Sequence, residues 1–239
     1  IFQKVPHKNV IYFTISLIFS IFAAKKQYME RFIMQDLIAW KNREDRKPLI
    51  LLGARQVGKT YILKEFGQRE FENVAYINCD NNAMAKDLFA SDYNIDRILL
   101  TIGAITGVNI EAGKTLIIMD EIQELHRGLA SLKYFCENAR EYHVAVAGSL
   151  LGLSLHQGES YPVGKVNTLE MYPMTFEEFL WARGFKQRMD LLQHGMWDVV
   201  KSLRTLYIQH LREYYLVGGM PEAVNKFIET NDANAVREV

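Results

Sequence analysis

The chain has 239 residues, 49% hydrophobic and 23% charged, and its 28 lysines and arginines balance 28 aspartates and glutamates. That is the profile of an ordinary soluble globular protein, with material for one large domain or one and a half. No global basic surplus advertises nucleic acid, although a local patch stays open, and the two cysteines, Cys79 and Cys136, have no metal-type spacing and read as reduced thiols.

Residues 1–27 differ from the rest. Position 1 is Ile1, and Val10 to Ala24 is an apolar run preceded by Lys4, His7 and Lys8. The run resembles a signal-peptide core or a short membrane helix. As a helix it would span only about 22 Å, less than a hydrocarbon core. The expectation is an upstream translated extension with Met29 as the true start; the alternative is a membrane anchor. Tyr28 to Lys41 is amphipathic, with Phe32, Ile33, Leu37, Ile38 and Trp40 toward one side, and predicts a helix beside the first strand. Asn42 to Lys47 is a charged connection.

Lys47-Pro48-Leu49-Ile50-Leu51-Leu52 then reads as a buried strand. It runs into Gly53-Ala54-Arg55-Gln56-Val57-Gly58-Lys59-Thr60, which is G-x-x-x-x-G-K-T, the Walker A phosphate loop. Glycines allow a sharp turn that brings backbone N–H groups onto phosphates. Lys59 adds a positive charge, Thr60 offers a hydroxyl to Mg²⁺, and the helix beginning near Lys59 points its positive end at the same place. Tyr61 to Phe66 has helical spacing, so strand, loop and helix follow in the order the motif requires. Gly53 through Tyr61 are the candidate nucleotide-binding residues: Gly53, Ala54, Arg55, Gln56, Val57, Gly58, Lys59, Thr60 and Tyr61. Arg55 is expected to point outward as a surface charge.

Asn73 to Asn78 alternates and predicts the second strand. Asp80-Asn81-Asn82 reads as a turn or cap, Ala83 to Ala90 as helix, and Ile95 to Ile105 as a second helix closed by Gly107. Thr115-Leu116-Ile117-Ile118-Met119-Asp120-Glu121 matches Walker B: a buried parallel strand that delivers two carboxylates to the ligand crevice. Asp120, with Thr60, is the candidate metal ligand, mostly through water. Glu121 is the candidate base that polarises an attacking water; read blandly, it is an acid at a helix start. Leu129 to Tyr142 predicts a helix, His143 to Ser149 a third buried strand, and Val166 to Leu169 a last one. Thr175-Phe176-Glu177-Glu178 is a capping box opening a helix to about Ala182. Residues 186–217 are mostly helical by pattern, and Pro221 suits the first turn of a helix running through Phe227.

Taken in order, GARQVGKT, TLIIMDEIQE, SLKYF, AGSLLG, SYPVGKV, MYPMTFEEFL and GGMPEAV resemble the AAA-like P-loop ATPases that carry a C-terminal domain of unknown function, DUF4143. The resemblance runs from about Met29 to the end. It implies a three-layer α/β core of the additional-strand (ASCE) class, related to archaeal and STAND-type ATPases, in which the Ser149 strand lies between the Lys59 and Asp120 strands. It implies that Ser149 is the catalytic polar tip that reaches the γ-phosphate; the alternative is an N-cap before Leu150. His126 stands where such proteins often have proline. The domains expected are the extension 1–27, an ATPase core 28–174, and a helical lid or linker 175–239 leading to an absent winged-helix and nuclease-like region.

The function these residues imply is ATP hydrolysis with Mg²⁺, in the cytoplasm, with Lys59, Glu121 and Ser149 as catalytic candidates. A slow nucleotide-gated switch, or a DNA-associated module in which ATP controls partner binding, is the alternative. DNA, a protein or a second copy of the chain are the partner classes left open. A membrane enters only if residues 10–24 are a real segment, which would then tether the site in the cytosol. Asn225-Lys226-Phe227-Ile228 lacks the aspartate of a guanine-reading N-K-x-D segment, which disfavours GTP. Lys165, Arg127, Arg140 and Arg183 are weighed as transition-state cations, with Lys165 first because a Gly-Lys pair follows the Ser149 strand; each reads more simply as surface charge.

Overall fold

The computed structural model describes residues 29–80, 82–89, 92–149 and 161–238. The apolar run at 10–24, the Leu150 end of the cap alternative, and Asn81 and Ala90 lie outside them. Among the described residues no helix is long and apolar enough to cross a membrane.

Five short strands form one sheet: β1 Leu49–Gly53, β2 Asn73–Asn78, β3 Thr115–Asp120, β4 His143–Ser149 and β5 Asn167–Met171. Their order is β2-β3-β4-β1-β5 and every pairing is parallel. β3 is buried at all six positions, as a central strand covered on both faces must be. Successive residues face opposite sides of the sheet. Leu49 and Leu51 therefore join a core with Trp40, Leu63 and Phe66. That face is covered by α1 Ile33–Lys41 and α2 Lys59–Glu70. Ile50 joins the opposite core with Ile98, Leu132 and Phe135. There α3 Ala83–Lys86, α4 Ile95–Thr106 and α5 Gly128–Asn138 cover the sheet. The fold is a three-layer α/β sandwich on a parallel sheet.

A helical segment follows: α6 Phe176–Ala182, α7 Lys186–Gln193, α8 Trp197–Ser202, α9 Arg204–Val217 and α10 Pro221–Thr230. It has cores of its own, one around Met174, Phe179, Val217 and Phe227 and one around Leu180, Met189 and Tyr207. The Met174 N–H donates to the Gly219 carbonyl at 2.6 Å, which pins the start of α10 to the chain leaving β5.

Three helical expectations shorten. α1 begins at Ile33 and not near Tyr28, because Arg31 and Phe32 are taken up in contacts to other segments. α3 ends at Lys86, after which Leu88 and Phe89 turn fully into the core. α5 ends at Asn138, where Ala139 leaves helical geometry at φ −153°. The last strand runs Asn167–Met171, two residues beyond the apolar pattern, because it pairs with β1 along its whole length.

Candidate functional site

Parallel pairing fixes where the chemistry lies. Gly53 ends β1 opposite Ser149 of β4 and Met171 of β5, and Asp120 ends β3 opposite Ala147. The glycine loop, the Asp-Glu pair and the end of β4 therefore share the carboxyl edge of the sheet. Open parallel sheets bind ligands at that edge.

The loop is shaped by close contact. A Cβ on Gly53 would lie 2.3 Å from the Met171 carbonyl oxygen, so only glycine lets β1 leave the sheet there. Gly58 has φ +95°, immediately before α2, a conformation side chains rarely adopt. Val57 is fully buried and anchors the loop, while Ala54, Arg55 and Gln56 are exposed. Lys59 is buried, and its Nζ donates to the carbonyls of Gly53 at 2.9 Å and Ala54 at 2.7 Å. The first turn of α2 holds no acidic residue, so no acid of the helix itself opposes an anion at its positive end.

Thr60 donates its hydroxyl to Asp120 Oδ2 at 2.6 Å. Tyr76, on β2, donates to the same oxygen at 3.2 Å. Glu121 follows with φ +52°, a left-handed geometry uncommon for a non-glycine residue. Its backbone N–H donates to Asp120 Oδ1 at 3.1 Å, and Gln123 Nε2 donates to its carboxylate. Burial pushes the Lys59 ammonium down, while the Glu121 and Asp120 carboxylates push it back up. Burial, reinforced by Asp120, raises Tyr76 to about 12. Burial, reinforced by Asp120 and then Glu121, also raises Cys79 to about 12, which keeps it a thiol. Lys59, Thr60, Asp120 and Glu121 thus meet in one electrostatic neighbourhood. Ser149 brings its backbone beside Gly53.

The donor set is the test for a metal. Thr60 and Asp120 offer hard oxygens side by side, as Mg²⁺ takes when phosphates and water complete its shell. Among the described residues no group of three or more His, Cys, Asp or Glu could hold a metal. The residues present fit a phosphate-bound Mg²⁺ and not an all-protein cage.

Beside the loop lies a cavity of about 390 Å³. Gln56, Gly58 and Tyr61 line one side, Pro221, Glu222 and Asn225 of α10 the other, with Met29, Arg31 and Met171 between. Of these only Gln56, Gly58 and Tyr61 are legible as site residues in the sequence; Pro221 reads there as a helix start alone. A broader hollow of about 600 Å³ follows the outer face of α9 and holds no loop residue.

The four weighed cations separate. Lys165 pairs with Glu137 at 2.8 Å. It precedes Asn167, which lies opposite Leu49 at the amino end of β1. Lys165 is therefore on the wrong edge of the sheet for the loop of its own chain. Arg140 donates to the Cys136 carbonyl beyond α5, at the same amino edge. Arg183 pairs with Glu213 inside the helical segment. Arg127 follows the Asp-Glu turn and bonds the Tyr93 hydroxyl at 3.0 Å with its guanidinium over that ring.

Residues 45–180, more than half of the chain, match the AAA domain family, and the chain belongs to it. An uncharacterized protein of Methanocaldococcus jannaschii is 27% identical over 225 residues, 87% of this chain and 45% of the relative. The chain thus spans less than half the length of the curated relative it matches. Among solved structures it is similar to the Aeropyrum pernix ORC1 protein in complex with DNA, at 13% identity and TM-score 0.40 over 70% of this chain and 49% of that one. It is also similar to PCH-2 of C. elegans, at 12% identity and TM-score 0.44 over 86% and 67%. A mutant of Thermotoga maritima RuvB gives 20% identity and TM-score 0.40 over 70% and 52%.

Proposed function

We propose that the chain binds ATP with Mg²⁺ and hydrolyses it to ADP and phosphate. The observation that carries this reading is the convergence of Lys59 with the bonded Thr60–Asp120 pair at the mouth of a glycine loop. When bound, Mg²⁺ would supply positive charge that offsets the charge of the phosphates. The Thr60 hydroxyl and the Asp120 carboxylate would hold it. Loop N–H groups and Lys59 neutralise charge that develops on the phosphates. Lys59 must leave the Gly53 and Ala54 carbonyls to do so, exchanging two neutral acceptors for charged oxygens. Glu121 orients water for in-line attack and accepts its proton, with Gln123 holding the carboxylate. Ser149 is the proposed contact to the γ-phosphate. The cavity between loop and α10 is the proposed seat of the base, with residues 175–239 as its lid.

One observation favours slow, switch-like use of the same site. Lys59 is folded onto the Gly53 and Ala54 carbonyls of its own loop, so it must rearrange before chemistry. The remaining parts of the proposal are cytoplasmic action, a DUF4143-type region beyond the helical segment, and a DNA, protein or like-chain partner engaged through it. Glu121→Gln separates binding from chemistry. The variant is expected to bind ATP within about threefold of wild type and to lose turnover by 10²-fold or more. Full turnover in the purified variant removes Glu121 from the role of base. Wild-type turnover well below one per second with retained nucleotide selects the switch.

A further inference from the structure

We infer that Arg31 is the positioning residue that aims the phosphate loop, and that Glu178 ties its position to the helical segment. The inference rests on the nucleotide site proposed above. Arg31 lies before the first strand, outside every motif of that site, yet it is 6% exposed. Its guanidinium joins three parts of the chain. Nη1 donates to the Val57 carbonyl inside the loop at 3.1 Å. Nη2 donates to the Tyr172 carbonyl, just past β5, at 2.6 Å. Nε stands 3.0 Å from Glu178 Oε1.

The first contact has a geometric consequence. A trans peptide is planar, so the Val57 carbonyl and the Gly58 N–H point in opposite directions. Holding that carbonyl on Arg31 turns the Gly58 N–H away from Arg31 and keeps the N–H, not the carbonyl, as the group offered to an anion. Gly58, at φ +95°, has the freedom to flip if the hold is lost. An unconstrained peptide could present its carbonyl to the phosphates instead.

Glu178 makes the hold specific. Its Oε1 accepts the Phe32 N–H at 2.8 Å besides facing Arg31, and its Oε2 accepts the Thr175 N–H at 3.0 Å. The capping-box glutamate of α6 is thus also the counter-ion of a buried arginine. Arg31 lines the cavity beside the loop together with α10 residues. A shift of the helical segment would therefore move Glu178, Arg31 and the Val57–Gly58 peptide together.

Stability and loop aim can be separated. Removing one partner of a buried pair leaves an uncompensated charge, while removing both does not. The experiment uses the full chain with Arg31→Met, Arg31→Lys, Glu178→Gln and the Arg31→Met/Glu178→Gln double variant. Circular dichroism and thermal unfolding report folding, and titration with a fluorescent ADP plus Mg²⁺ reports affinity. Glu178→Gln is expected to lower the melting temperature but, because its amide oxygen still offers Arg31 an acceptor, to bind within about threefold of wild type. The double variant is expected to recover melting temperature relative to Glu178→Gln while binding about tenfold or more weakly, the loss expected for a charge-assisted contact. Arg31→Lys keeps the charge but not the fork; it is expected to fold and to bind several-fold more weakly, and it decides the matter if Arg31→Met does not fold. Affinities within twofold of wild type in folded Arg31 variants overturn the inference and leave the site standing. Affinity losses that follow the fall in melting temperature across all four variants, with no excess in the Arg31 variants, also overturn it, because the effect is then general stability. Failure of the wild-type chain to bind overturns this inference and the reading beneath it.

Discussion

His143 opens β4 where a charged ring is costly. It is 6% exposed, its Nδ1 has no hydrogen-bond partner, and its ring lies 4.9 Å from that of Phe71 and 6.1 Å from that of Trp40. Burial, aided by the charges of Arg46 and Lys41, pushes it from 6.5 down to about 4. Between those values the unfolded chain binds a proton that the folded chain refuses. The contribution is therefore complete above pH 6.5 and is lost as pH falls toward 4, amounting to about 3 kcal/mol at most. Denaturant unfolding across that window is expected to show this ramp in wild type and a flatter one in His143→Gln; equal slopes contradict the assignment. Residues of this kind show how far the chain could be read in advance. The convergence of Lys59, Thr60 and Asp120 was legible because the phosphate motif and the apolar strand before Asp120 are both local. Arg31 was not, since its partners Val57 and Tyr172 lie 26 and 141 residues away and an arginine in an amphipathic stretch reads as surface.

At the scale of elements, strands were easier to place than helix ends. β2 and β4 coincide with their patterns, β3 stops at Asp120 and β1 runs Leu49–Gly53; β3, β4 and β1 stand out because central parallel strands are buried on both faces. Helix ends depend on what the flanking residues touch: α1 starts late because Phe32 gives its N–H to Glu178. α6 is the exception, since its cap is written in adjacent residues. Thr175 Oγ1 accepts the Glu178 N–H at 3.2 Å, and Glu178 returns the bond. Thr175→Ala removes one of these and is expected to cost about 1 kcal/mol. For a chain of this size that lowers the melting temperature by about 2–4 °C. An unchanged melting temperature would mean that the cap contributes nothing beyond the Arg31–Glu178 pair. The four weighed cations show the opposite limit. Their chemistry was readable, but the place of Lys165 at the amino edge of the sheet was not, because that follows from strand register.

Across the whole molecule, the strand order β2-β3-β4-β1-β5 sets the loop and the acidic strand end on one edge with β4 between them. The helical segment closes against that edge through Met174, Gly219 and the start of α10. The proposed seat of a Mg²⁺–triphosphate lies between Lys59 and the Thr60–Asp120 pair. Calorimetric titration of the wild-type chain and of Lys59→Ala with ATP, with and without Mg²⁺, tests it most directly. Saturable one-site binding by wild type, strengthened by Mg²⁺ and lost in a folded Lys59→Ala, is the result expected. No binding by wild type at millimolar ATP, or equal binding by Lys59→Ala, would contradict it.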